Sequence, residues 1–119
     1  VSAAADAGLA LQRAVLAVAR RRNRTLSLRV GIARGVAVAG VLGRERLLYD
    51  LWGDSVNMAS RLETAAAPGE ILIADELSPL LASTHELGPV KVRELKGKGD
   101  VPTRAVVAAR AKQLQVARG

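Results

Sequence analysis

Residues 49–61 read YDLWGDSVNMASR, and this stretch decides how the rest of the chain is interpreted. Its first residues continue an apolar run over 47–52 that predicts a short strand. The next three residues supply a turn and a helix N-cap, with Asp54 as the expected cap. A helix is then expected as far as about Ala66. Its buried stripe consists of apolar residues at helical spacing, namely Val56, Ala59, Leu62 and Ala66.

The expected helix carries two polar side chains that can act together. Asn57 and Arg61 are four residues apart, so they share a helix face that differs from the apolar stripe. An arginine is a fixed charge with five donors, which suits phosphate oxygens and charge that develops on them. An asparagine can orient a sugar or a hydroxyl because it both donates and accepts hydrogen bonds. An exposed polar pair without a ligand would show the same spacing.

Asp50 lies in the strand just before this helix and shares a strand face with Trp52. Its carboxylate can accept a hydrogen bond from an exocyclic amine such as the one that adenine presents. It can equally cap a nearby backbone amide. The residues by themselves leave both interpretations open.

On both sides of residues 49–61, the pattern of apolar residues predicts helices and strands. Before it we expect a helix over 3–22, strands over 26–34 and 36–42, and an exposed charged hairpin tip over 44–47. After it we expect a buried strand over 71–74, a short helix capped by Asp75, strands over 90–95 and 103–107, and a tail over 108–119. The first strand alternates apolar and other residues, which predicts one buried face. This order of elements indicates an α+β fold.

The loop after the strand at 90–95 reads Lys96-Gly97-Lys98-Gly99-Asp100. Two ammonium groups on an unobstructed glycine backbone allow a polyphosphate to approach closely. A basic surface turn is the alternative. The glycines at 31, 35, 40 and 43 match neither the dinucleotide-binding motif nor the phosphate loop of P-loop NTPases, and they are interpreted as turns and close backbone approaches.

The composition narrows the function classes further. The 119 residues suffice for one domain, and the net charge of +7 attracts polyanions. The one basic run, at 20–24, is interpreted as the solvated end of the first helix, against a nucleic-acid patch. Binding of nucleic acid is not expected, since the two aromatic residues of the chain, Tyr49 and Trp52, make no stacking platform. The chain has no cysteine, and its single His85 is expected to be structural.

Four blocks together resemble one family. LRVGIARGVAVAGVLG, YDLWGDSVNMASRLE, PGEILIADEL and ELKGKGDVPTRAVV are similar, in order and spacing, to the C-terminal part of the class III nucleotidyl cyclase catalytic domain. The resemblance covers residues 26–107. It implies a sandwich derived from the ferredoxin-like fold, and formation of a 3′,5′-cyclic nucleotide from a nucleoside triphosphate with release of pyrophosphate.

The resemblance also implies site residues. At the matching positions Asp50 would read the adenine amine, Asn57 would orient the ribose, Arg61 would stabilise the transition state at the α-phosphate, and Lys96 would bind the terminal phosphates. The family uses two divalent cations, magnesium or manganese. They are held by two aspartates in an N-terminal part of the domain that has no counterpart in this chain.

The leading hypothesis is therefore that residues 1–119 are part of an adenylate cyclase catalytic domain, without its N-terminal strand and helices and without metal ligands. Such a chain is expected to be inactive alone, to bind ATP, and to work as a homodimer or as a heterodimer with another cyclase chain. We expect it in the cytoplasm, with membrane attachment through an upstream region left open. The alternatives are a non-catalytic cyclase-like module for dimerisation or nucleotide sensing, and a small basic domain that binds nucleic acid.

Overall fold

The computed structural model describes residues 2–22, 28–34, 36–41, 44–50 and 55–110, with the backbone alone over 44–50. Three α-helices, one 3₁₀ turn and seven strands follow one another in this part of the chain. They are α1 (Ser2–Arg21), β1 (Leu28–Ala33), β2 (Val36–Val41), β3 (Arg44–Asp50), α2 (Val56–Ala65), β4 (Ile71–Ala74), the 3₁₀ turn (Asp75–Leu77), α3 (Ser78–Leu81), β5 (His85–Leu87), β6 (Lys91–Leu95) and β7 (Gly99–Ala109). The prediction of an α+β fold is confirmed.

The strands form a mixed sheet in the order β3-β2-β1-β4-β7, and β5 and β6 both pair with β7. β1 and β4 run parallel, whereas all other pairs are antiparallel. Val30 stands opposite Ala39 on one side and Ile71 on the other, so β1 is a central strand. The parallel pair requires a crossover, and α2 lies in it.

Helix α1 covers one face of the sheet. Ala4, Ala5 and Leu9 are buried against apolar side chains of the central strands. Those strand residues are Leu28, Val30, Ile32, Ala37, Ala39, Ile71 and Ile73. Burial of these small branched side chains supplies most of the apolar stabilisation on this face.

Helix α2 covers the opposite face, so the sheet lies between two helical layers. Ala59 and Leu62 are fully buried there. Gly31 of β1 lies directly beneath α2, and a Cβ at that position would overlap the Ala59 carbonyl oxygen and the Glu63 backbone nitrogen. The interpretation of this glycine as a close backbone approach is confirmed. The expectation that β1 is buried on one face only is wrong, because α2 buries the second face.

Two further differences concern the strands. Residues 44–46, expected in an exposed hairpin tip, belong to β3 and pair with Ala39, Gly40 and Val41 of β2. Charged residues are common in an edge strand, since its outer side chains meet water. The last strand begins at Gly99 instead of Thr103, because residues 99–103 pair with β6.

The three-residue strand β5 was not expected, and it contains His85. This side chain is only 2% exposed, and its Nε2 and Nδ1 lie 2.8 Å from Asp6 Oδ1 and Thr84 Oγ1 respectively. His85 therefore ties β5 to the start of α1, and the expectation of a structural histidine is confirmed.

An ion pair connects β6 to Glu70, the residue that precedes β4. The two terminal nitrogens of Arg93 donate to the Glu70 carboxylate at 2.7 and 2.8 Å, and both side chains are less than a fifth exposed. This fork geometry gives both energy and orientation. None of the described helices is long and apolar enough to cross a membrane.

Candidate functional site

Helix α2 presents two of the predicted site residues on one side. Asn57 is exposed in the first turn, and Arg61 is partly buried one turn later. The helix begins after Ser55, whose side chain makes no capping hydrogen bond. The expected cap, Asp54, lies outside the described residues. The buried stripe of Ala59 and Leu62 fixes the rotation of α2, so Arg61 is directed away from the middle of the sheet.

The loop at 96–100, which was predicted to let a polyphosphate approach, contains the turn between β6 and β7. Lys98 donates its backbone N–H to the Leu95 carbonyl at 2.8 Å. Gly97 and Gly99 have positive φ angles of 76° and 75°, which is the left-handed region that glycine adopts at little cost. Apart from the chain neighbours of each glycine, no described residue has a heavy atom within 4 Å of the position that a Cβ would take at Gly97 or Gly99. The backbone of this turn is therefore open to a ligand.

Arg61 and Lys96 meet at one surface groove although they are far apart in the sequence. The groove has a volume of about 500 Å³. It forms because α2 packs against β6 through Leu62 and Leu95, which brings Arg61 beside the turn that begins at Lys96. A guanidinium and an ammonium on one groove suit a ligand with several negative charges.

The other two predicted site residues, Asn57 and Asp50, are not seen to line this groove. Asn57 is exposed on the same helix face as Arg61 and does not line the groove. Asp50 is the last residue of β3, opposite Val36 of β2, and its side chain is outside the described part of the structure. The roles given to all four residues by the family resemblance remain predictions.

Two groove residues were not expected from the sequence. Thr64 follows Arg61 by three residues on α2, and Glu94 precedes Lys96 by two on β6. The periods of helix and strand would have placed both beside the predicted residues. The Thr64 hydroxyl donates to the Ser60 carbonyl at 3.1 Å, whereas Glu94 adds a carboxylate to the basic groove.

The second lysine of the turn faces a different space. Lys98 lines a neighbouring cavity of about 420 Å³, together with Asp75, Glu76 and Asp100. A third cavity, of about 290 Å³, lies where the carboxyl ends of β1 and β4 meet the start of α2, and Arg34 lines it. Two lysines only two residues apart thus have separate surroundings.

Among the side chains that the structure describes, no group of three or more His, Cys, Asp or Glu residues could hold a metal ion. The two divalent cations implied by the resemblance therefore do not fit this part of the chain.

Residues 1–108 match the family model described as the adenylate and guanylate cyclase catalytic domain. The chain belongs to this cyclase family. The predicted resemblance is confirmed, and the match also includes α1, which precedes the block from residue 26.

Several curated proteins are similar to this cyclase chain. Adenylate cyclases of Mycobacterium tuberculosis and Mycobacterium bovis are 43% identical over 82 residues, which is 69% of this chain and 18% of theirs. Adenylyl cyclase X E of Drosophila melanogaster is 36% identical over 78 residues, or 65% of this chain and 7% of its own length. The cyclase chain thus spans less than a fifth of these relatives.

Two solved structures also match part of the cyclase chain. One is the guanylate cyclase domain of RhGC from Catenaria anguillulae in complex with GTP. It is 30% identical, covers 63% of this chain and 46% of that one, and has a TM-score of 0.45. The other is the catalytic core of a rhodopsin-guanylyl cyclase with converted specificity in complex with ATPαS. It is 35% identical, covers 63% and 39% of the two chains, and has a TM-score of 0.43.

Proposed function

We propose that this chain provides one half of an adenylate cyclase active site, which converts ATP to 3′,5′-cyclic AMP and pyrophosphate. In the reaction the 3′-hydroxyl oxygen forms a bond to the α-phosphorus while the bond from that phosphorus to the bridging oxygen of pyrophosphate breaks. The hydroxyl proton passes from the attacking oxygen to a solvent water, and negative charge accumulates on the α-phosphate and on the departing pyrophosphate. Fixed positive charge at those two places lowers the barrier.

Arg61 and Lys96 are the residues proposed to supply that charge. The single observation that carries the proposal is their convergence on one groove of about 500 Å³. Arg61 would contact the α-phosphate, because its planar fork follows the geometry of phosphate oxygens. Lys96 would hold the terminal phosphates as a point charge, and the open glycine backbone beside it lets them approach.

Asn57 and Asp50 are proposed to bind the nucleoside. Asn57 would orient the ribose from the exposed first turn of α2. Asp50, at the end of β3, would accept a hydrogen bond from the adenine amine and so favour ATP over GTP. The adenylate cyclases among the relatives support this choice of base.

A complete site is proposed to need a second cyclase chain, either another copy or a different one. That partner would face the groove and would contribute the groups that hold divalent cations.

Binding of ATP to the purified chain provides a test with a matched control. Lys96→Ala removes the ammonium that lines the groove, whereas Lys98→Ala removes an equal charge two residues away at another cavity. Loss of one charged hydrogen bond of roughly 1.5–3 kcal/mol corresponds to about 10- to 150-fold weaker binding. We expect a loss of this size for Lys96→Ala and little change for Lys98→Ala in calorimetric titrations with ATP.

The outcomes separate the alternatives. Equal losses for the two variants would mean that only the net charge attracts ATP, and the proposed groove would be wrong. Selective loss for Lys96→Ala, without cyclic AMP in any partner mixture, would favour a nucleotide-sensing module over an enzyme.

A further inference from the structure

Helix α1 carries an exposed face with a uniform charge. The second half of the helix exposes Arg13, Leu16, Ala17, Arg20 and Arg21 within one arc of its surface, and we call these residues the basic helix face. All five are exposed, and Leu16 retains 53% of its accessible surface. With a rise of about 1.5 Å per residue, the face is roughly 12 Å long.

The arginines of this face have no counter-charge among the described residues. None of them forms an ion pair with another residue that the structure describes. The single carboxylate of α1, on Asp6, lies near the other end of the helix and contacts His85. Arg22, exposed in the turn after α1, extends the positive region.

A solvated helix end accounts for only part of this arrangement. Basic residues in the last turn do complement the helix dipole. Arg13, however, lies two turns before the end, where the dipole has little effect. Leu16, between the arginines, gains nothing from exposure to water.

We propose that the basic helix face docks on an anionic lipid surface. The arginines would pair with lipid phosphate and carboxylate groups, and their aliphatic stems would let the charges reach the headgroups. Leu16 would enter the boundary between headgroups and acyl chains. The apolar side of α1 stays on the sheet, so docking requires no unfolding.

Lipid fits this face better than nucleic acid does. The exposed Leu16 gains free energy in an acyl boundary but has no favourable partner along a phosphate backbone. The described residues of the face include no aromatic side chain that could stack on bases. Both ligands are anionic, so the contribution of Leu16 distinguishes them.

Co-sedimentation of the purified chain with vesicles tests the proposal. We expect binding to vesicles of phosphatidylcholine mixed with phosphatidylserine, little binding to phosphatidylcholine alone, and weakening as salt is raised. The double variant R20Q/R21Q should bind about 25-fold more weakly, since each arginine near an anionic surface contributes roughly fivefold. Glutamine is a good helix former, and circular dichroism checks that α1 remains.

The matched control removes the same charge elsewhere. Lys91 and Lys98 are both exposed and lie on the β6–β7 hairpin, so K91Q/K98Q lowers the net charge equally without touching the basic helix face. This control should weaken vesicle binding much less than R20Q/R21Q does. Leu16→Gln, which keeps every charge, should weaken binding to vesicles several-fold.

Three results would overturn the proposal. The first is equal loss of vesicle binding in R20Q/R21Q and K91Q/K98Q, which would show that binding depends only on the net charge. The second is no preference for phosphatidylserine. The third is tighter binding to duplex DNA than to vesicles with no effect of Leu16→Gln, which would assign the face to nucleic acid.

Discussion

Gly31 shows how one missing side chain determines the position of the candidate site. The backbone of α2 rests on β1 at this residue, where the Ala59 carbonyl and the Glu63 amide occupy the place of a Cβ. Gly40 lies in the neighbouring strand β2, where it pairs with Arg29 of β1. It leaves similar room for the Glu63 carboxylate. The two glycines therefore set how closely α2, and with it Arg61, approaches the sheet.

We predict that Gly31→Ala lowers the free energy of unfolding by roughly 2–3 kcal/mol, because the added methyl group forces α2 away from β1. Gly88→Ala is the control. Its Cβ would lie 3.8 Å from the nearest atoms of Ala105, which is ordinary contact. Urea titration of both variants measures the difference, and equal stabilities would contradict the account of α2.

Sequence patterns predicted single residues only where local geometry was enough. The close approach at Gly31 and the structural role of His85 could be expected from residue type. The meeting of Arg61 with Lys96 could not, because it depends on packing between α2 and β6, which are distant in the sequence. Only the family resemblance linked the two residues in advance.

Among the helices, α1 contains a glycine, which stabilises a helix less than alanine does. Gly8 lies in the first half of α1, and a Cβ there would meet Val30 and Ile71 at 3.5 and 3.6 Å, which is ordinary contact. We predict that Gly8→Ala raises the free energy of unfolding by about 0.5–1 kcal/mol, because alanine loses less backbone entropy in a helix. The midpoint of urea unfolding measures it.

Gly69→Ala serves as the opposite case. Gly69 has a φ of 83°, and among the described residues only its chain neighbours come within 4 Å of the position of its missing Cβ. The substitution is therefore strained by the backbone conformation and not by a clash with these residues. It should lower stability. An increase for Gly69→Ala, or a decrease for Gly8→Ala, would contradict the backbone conformations described for these elements.

The sequence predicted correctly those helices and strands in which apolar residues recur with a clear period. α1, α2 and β4 each have an apolar pattern long enough to read, and they occur within a few residues of their predicted bounds. β5 was missed because three residues cannot establish a period. Residues 44–46 were assigned to a turn because charge was taken as a sign of a loop, whereas they pair along the edge of the sheet.

In the whole molecule, the sheet lies between two helical layers, and the described residues include a positively charged region on each side of it. The groove with Arg61 and Lys96 lies where α2 meets the β6–β7 turn. The basic helix face lies on α1, which covers the opposite side of the sheet. The two proposed ligands, a nucleotide and an anionic lipid surface, would therefore meet opposite sides of the sheet.

Arg61 is proposed to be the transition-state arginine of a cyclase active site that this chain shares with a second chain. The most direct measurement mixes this chain with a cyclase chain that retains its metal ligands but lacks its own arginine at the position of Arg61, and follows cyclic AMP in the presence of ATP and manganese. The account predicts that the mixture forms cyclic AMP, that Arg61→Ala lowers the rate about a hundredfold or more, and that Lys98→Ala does not. A folded complex of the two chains that forms no cyclic AMP, or one whose activity survives Arg61→Ala, would contradict it.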